Sequence, residues 1–199
     1  MEISASQVKE LREKTGVGVM DCKKALKESE SDIDQAIDYL RKKGIATAKE
    51  RGGRVTSEGQ VRSYIHAGAK IGVLVEVNCE TDFTAKTEVF SDFVMNIAMH
   101  IAAASPISID REGIPPDICN KEREIYTTQA KESGKPEKII EKIVEGKLEK
   151  FYSEACLLAQ PYVKNPDITI QDLLNEMMAK TGENIVIRRF VRFRLGEND

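Results

Sequence analysis

The chain has 199 residues, of which 41% are hydrophobic and 32% charged, and 30 Lys and Arg stand against 33 Asp and Glu for a net charge of -3. Such a composition describes a soluble globular protein rather than an extensively disordered one, and the near balance of charge gives no global reason to expect nucleic acid. The opening MEISASQVKELREKTG has no apolar core of signal-peptide length, and no later segment holds the roughly eighteen uninterrupted apolar residues of a membrane span, so a cytoplasmic protein is expected.

The first forty-odd residues read as three short helices. Ser4 with Gln7 has the spacing of a capping box, Val8 and Leu11 share a face, and TGVG at Thr15 to Gly18 stops the first helix. The second, VMDCKKALKES, carries Met20, Ala25 and Leu26. Asp32 and Gln35 cap a third, whose stripe of Ile33, Ala36, Ile37 and Leu40 ends at Gly44. A three-helix module over residues 1–44 follows, and the Lys- and Arg-rich RKKGIATAKERGGR suggests a basic linker over 45–54.

From Val55 the pattern turns to β. VRSYIHAGAKIGVLVEV predicts two strands joined around AGAK, and Val89, Phe90, Phe93, Val94, Ile97 and Ile101 then recur at helical spacing up to Pro106. Two further helices are predicted in DICNKEREIYTTQAKESG and PEKIIEKIVEGKLEKFYSEACLL, with Pro136 suited to the first turn of the second. TIQDLLNEMMAKTG gives a last helix and NIVIRRFVRFRLG a closing strand. The fold class is α+β: a three-helix bundle followed by a core over 55–199 with a small antiparallel sheet and several helices.

Phosphate chemistry has little support. TGVGVMD lacks the third glycine of a dinucleotide fingerprint, and SGKPEK has proline where a phosphate loop needs Ser or Thr, so no nucleotide cofactor is expected on this chain. Cys22, Cys79, Cys119 and Cys156 are widely spaced without a CxxC pair, and only His66 and His100 could join them, so free thiols are predicted and no metal site. A cysteine enzyme would need Cys79 with His66 or His100 as base and Asp82 as orienter. The simpler reading makes Cys79 a small hydrophobe, His66 a turn residue and His100 a satisfied helix residue. In RRFVRFR, arginines alternate with Val191, Phe193 and Leu195. That pattern suits single-stranded nucleic acid, or a strand with its apolar face inward and its arginines in solvent, and the second is favoured. Phe83, set between an acid and a threonine in VLVEVNCETDFTAKTEVF, leaves two readings open. It either opens the next helix as a core residue or has some other task.

LREKTGVGVMDCKKAL, VEVNCETDF and KTGENIVIRRFVRF, in this order and joined by IAMHIAAASP and SGKPEKIIEKIVEGKLEKF, resemble the bacterial elongation factor Ts family over nearly the whole chain. The resemblance implies a non-enzymatic guanine-nucleotide exchange factor for elongation factor Tu, the GTPase that delivers aminoacyl-tRNA to the ribosome, binding its GDP-bound and nucleotide-free forms. It implies a ubiquitin-associated-like N-terminal module that contacts the partner through Arg12, Val19 and Met20, with Asp21 and Cys22 maintaining local structure. It further implies that the turn Thr81, Asp82 and Phe83 enters the partner beside its magnesium and phosphate site, with Phe83 as a wedge. The magnesium is the partner's. Longer members carry a second core subdomain that this chain lacks, and short members dimerise, so a homodimer is expected. His66 is then either a contact to another domain of the partner or only a turn residue. A general interaction module that leaves nucleotide untouched is the competing class.

Overall fold

A computed structural model describes residues 3–132 and 136–197; residues 133–135, within the SGKPEK segment, lie outside the described residues. The architecture is α+β, as expected. The chain forms two compact units, one of Met1–Val61, Glu76–Val94 and Asp172–Arg188, the other of Arg62–Val75, Met95–Gln171 and Arg189–Asp199.

In the first unit, α1 (Ala5–Thr15), α2 (Val19–Glu28) and α3 (Ile33–Arg51) form a three-helix bundle. Both halves of the predicted capping box are made: the Gln7 N–H donates to Ser4 Oγ at 3.3 Å and the Ser4 N–H to Gln7 Oε1 at 3.1 Å. Asp32 Oδ1 accepts from the Gln35 N–H at 2.9 Å. Leu11, Cys22, Ala25, Leu26 and Ala36 are buried as the bundle's core. The third helix does not stop at Gly44 but runs to Arg51. A helical glycine costs about 1 kcal/mol, and tertiary contacts outweigh it. Gly44 faces Ala179 of α8 (Ile170–Thr181), the Arg51 guanidinium donates to the Met178 carbonyl at 2.9 Å, and Arg41 pairs with Asp172 at 3.0 Å.

β1 (Glu58–Ile65), β2 (Ile71–Cys79) and β5 (Ile185–Arg194) form a three-stranded sheet in the order β1-β2-β5, so the predicted closing strand lies beside the second strand of the hairpin. The hairpin turns where AGAK placed it. The His66 N–H donates to the Ile71 carbonyl at 2.9 Å and the Ala69 N–H to the His66 carbonyl at 2.9 Å. At Gly59 a Cβ would stand 2.2 Å from the Val77 carbonyl oxygen, so only glycine lets β1 approach β2 this closely.

α5 (Glu88–Ala104) buries Phe90, Phe93 and Val94 in the first unit and Ile97, His100 and Ile101 in the second. The rest of the second unit contains α6 (Pro116–Glu132) and α7 (Glu137–Ala155), which enclose Ala130, Val144 and Leu148, while Ile114, Ala155 and Cys156 form another cluster. Pro136 stands at the N-cap of α7, just before the first turn. A short antiparallel hairpin of β3 (Pro161–Tyr162) and β4 (Asn165–Thr169) follows; with Pro161, Pro166 and no apolar alternation, it gives no strand signal in the sequence. Among the described residues no helix is long and apolar enough to cross a membrane.

The closing strand corrects one expectation. Ile185 and Ile187 are buried, but Arg188 and Arg189 are both exposed, and beyond them the alternation is shifted by one residue. Val191, Phe193 and Leu195 are therefore exposed, Phe193 at 67% and Leu195 at 78%. Arg192 is the residue tucked in, its Nε donating to the Ala102 carbonyl at 3.3 Å and its guanidinium pairing with Glu197 at 3.2 Å. A one-residue slip moves every later side chain to the opposite face.

Candidate functional site

The apolar run of β2 buries Val73, Val75, Val77 and Cys79, and the chain leaves the sheet at Glu80. Thr81, in extended conformation, caps the single helical turn α4 (Asp82–Ala85), its Oγ1 accepting from the Thr84 N–H at 3.3 Å. Thr84 and Ala85 point inward and are buried, which puts Phe83 outward. The open choice at Phe83 is thereby decided: at 79% exposure it is no core residue. Asp82, exposed beside it, accepts from Lys86 Nζ at 2.6 Å, and that hydrogen bond holds its carboxyl below the usual range.

The turn is gripped from a distant part of the sequence. Glu183 Oε2 accepts from the Glu80 N–H at 3.0 Å and the Thr81 N–H at 3.1 Å. Its Oε1 accepts from Thr81 Oγ1 and Thr84 Oγ1, each at 2.6 Å. Partial burial pushes the carboxyl up, but these hydrogen bonds prevail and hold it below the ordinary value, so it is ionised at neutral pH. The grip is reciprocal: the Asn184 N–H donates to Glu80 Oε1 at 2.6 Å, and Asn184 Nδ2 to the Arg54 carbonyl at 2.9 Å. Glu183 is delivered by the TGEN turn after α8. Thr181 Oγ1 donates to the Met177 carbonyl at 2.9 Å, Gly182 takes φ +76 and its N–H donates to the Met178 carbonyl at 3.0 Å.

The other named residues lie elsewhere. Arg12, Val19 and Met20 are exposed on the bundle, Met20 at 75%, with Val19 and Met20 opening α2 behind Gly18. Their neighbours are structural: Asp21 pairs with Lys43 at 2.5 Å, and buried Cys22 donates to the Val17 carbonyl at 3.5 Å. His66 is in the second unit, exposed at the hairpin turn, with its Nδ1 3.0 Å from Tyr64 Oη.

The cysteine-enzyme constellation is not assembled. Burial, with the Glu183 charge adding to it, pushes the Cys79 thiol up to about 11, and Sγ donates to the Thr81 carbonyl at 3.2 Å. Asp82 is engaged with Lys86. His100 is buried, its Nε2 2.9 Å from Gln160 Oε1 and its Nδ1 accepting from the Val163 N–H at 3.3 Å, so neither ring nitrogen is available as a base.

The sequence profile of the family described as Elongation factor TS matches residues 8–197. The chain belongs to the elongation factor Ts family. It is similar to Elongation factor Ts of Geotalea uraniireducens, 62% identical over 197 residues that make up 99% of this chain and 91% of that protein. The Moorella thermoacetica protein of the same name is 60% identical over 195 residues, 98% of this chain and 96% of its own length. That of Desulfotalea psychrophila is 59% identical over 196 residues, 98% of this chain and 100% of its own. As an elongation factor Ts chain, the protein acts in the elongation phase of protein synthesis. The family match spans both the exposed bundle residues and the gripped turn. Sequence reasoning did not find Glu80, Glu183 and Asn184. The only signal was that KTGEN repeats the KTGVG stop of α1, where Thr15 Oγ1 likewise donates to the Leu11 carbonyl, at 2.8 Å. That pattern announces a helix end but not what the next side chain reaches.

Proposed function

We propose that this chain is a guanine-nucleotide exchange factor for elongation factor Tu that accelerates GDP release without making or breaking a covalent bond. The carrying observation is Phe83, an aromatic left 79% exposed on a turn whose two flanks are hydrogen-bonded to one carboxylate. Thr81, Asp82 and Phe83 enter the partner near its magnesium and phosphate site, with Phe83 as wedge and Asp82 at its polar neighbours. The N-terminal module of residues 1–44, carried by the 45–54 segment, adds contacts through Arg12, Val19 and Met20, and the core over 55–199 holds the turn. His66, exposed at its hairpin, is assigned to a second contact with the same partner.

Linkage supplies the logic. A factor that binds the nucleotide-free GTPase better than the GDP-bound one weakens GDP by the same ratio. A thousandfold weakening takes about 4 kcal/mol, whereas burying one Phe side chain yields roughly 1.5–3 kcal/mol. Phe83 alone falls short, so binding energy from the bundle has to be directed into distortion of the site. A second copy of the chain completes the assembly, with Ile65, Leu74, Val191, Phe193 and Leu195, all exposed in the second unit, as the apolar residues it covers.

The test is release of a fluorescent GDP analogue from purified elongation factor Tu with excess GDP present, comparing wild type with Phe83→Ala. Strong acceleration that drops by about tenfold or more in the variant is expected. A folded wild type that binds the partner without accelerating release would leave only an interaction module.

A further inference from the structure

We propose that Glu183 is the positioning residue of the exchange turn, a carboxylate that fixes where Phe83 points. The inference rests on the reading of Thr81, Asp82 and Phe83 as the exchange element. Phe83 is exposed, so no packing around its ring sets its direction. Nor does α4 stand on its own: it has four residues, and an isolated helical turn is unfavourable because nucleation fixes several residues for one hydrogen bond. The direction must come from the flanks, and Glu183 holds both. On one side it takes the N–H and the hydroxyl of Thr81, with the N–H of Glu80 behind them; on the other it takes the hydroxyl of Thr84.

Each carboxylate oxygen accepts two hydrogen bonds, which saturates the acceptor capacity of an ionised Glu at these donors. Charge-assisted bonds of this kind are about twice as strong as neutral ones. All four go to residues 80–84, so the carboxylate serves the turn rather than the hydrophobic core. A wedge that distorts another protein needs a stiff mount, because a turn free to swing absorbs the strain instead of passing it on. Loss of Glu183 should therefore lower the maximal stimulation of GDP release more than it weakens association, since the bundle contacts persist.

The experiment uses the full chain with Glu183→Ala and Glu183→Gln, alone and combined with Phe83→Ala. Glu183→Ala should cut maximal stimulation about tenfold while the half-maximal concentration moves by less than about threefold. In the Phe83→Ala background it should add nothing, as expected of residues acting in series. Glu183→Gln should retain most activity. Its amide oxygen can serve the two backbone N–H groups, and its NH₂ can donate to the two hydroxyls, which rotate to accept. Amide hydrogen exchange of the free chain is read alongside: Glu80 and Thr81 should lose protection in Glu183→Ala and keep it in Glu183→Gln.

Unchanged protection, unchanged stimulation, or losses that multiply with those of Phe83→Ala would overturn the proposal. If wild type fails to accelerate release, the exchange reading falls, while amide exchange still decides whether Glu183 holds the turn. Should Glu183→Ala not fold, Thr84→Val removes one hydroxyl at Oε1 without changing shape and carries the same two readouts. Faster exchange at Thr81 with lower stimulation is then expected, and wild-type values overturn the idea.

Discussion

Replacing Phe193 with Asp should turn the proposed dimer into a monomer. A buried Phe covers about 150–250 Å², and Phe193 is 67% exposed in the single chain, which leaves roughly 100–170 Å² for a second copy to cover. Full burial of a Phe side chain is worth roughly 1.5–3 kcal/mol, so the part still exposed is worth about 1–2 kcal/mol per side chain, and a two-fold interface uses it twice. Only part survives the entropy of association and imperfect packing, but half of the doubled figure is still about 1–2 kcal/mol, or roughly 5- to 30-fold in Kd. The introduced carboxylate adds its own desolvation cost. Sedimentation equilibrium over a wide concentration range measures the shift, with circular dichroism and a thermal melt establishing that the variant folds. Dissociation constants that agree within about threefold would refute the assignment of this face, and a wild type that stays monomeric throughout would refute the dimer itself.

Two further outcomes follow from named side chains. Val19→Asp combined with Met20→Asp places charges on exposed bundle positions, so stability should hardly change. The concentration of factor giving half-maximal GDP release should nevertheless rise about tenfold, with maximal stimulation nearly constant; a loss of maximal stimulation instead would move these residues out of the binding role. His100 gives a pH signature. Burial lowers its pKa, only partly opposed by the hydrogen bond with Gln160, so the folded chain binds a proton less readily than the unfolded one. Its contribution to stability is present above the unfolded value of about 6.5 and is lost as pH falls from there through the lowered folded value. Denaturant unfolding at about pH 7.5 and about pH 5.5 should show that decline in wild type and a smaller one in His100→Gln. An equal decline in both would show that other groups cause it.

The features legible in the sequence are those whose causes lie within a few residues of one another. Ser4 meets Gln7 three residues away, AGAK turns its own hairpin, and the stripe through Phe90, Phe93, Val94, Ile97 and Ile101 records the burial of a single helix. The misses are contacts between distant segments. α3 passes Gly44 because α8, more than a hundred residues later, stands beside it, and Val191, Phe193 and Leu195 of the β5 segment are turned outward by a slip that no local pattern marks. The functional turn combines both kinds. Thr81 announces a cap, and that is local, but whether Phe83 would lie in the core or in solvent depended on which flanking side chains were pulled inward. The partner that pulls Thr84 in, Glu183, is separated from it by 99 positions. A turn held only by its own cap could settle either way. One held at Thr81 and Thr84 by the same carboxylate presents the residue between them outward, and that distant grip converts a short polar stretch after a strand into a fixed aromatic projection.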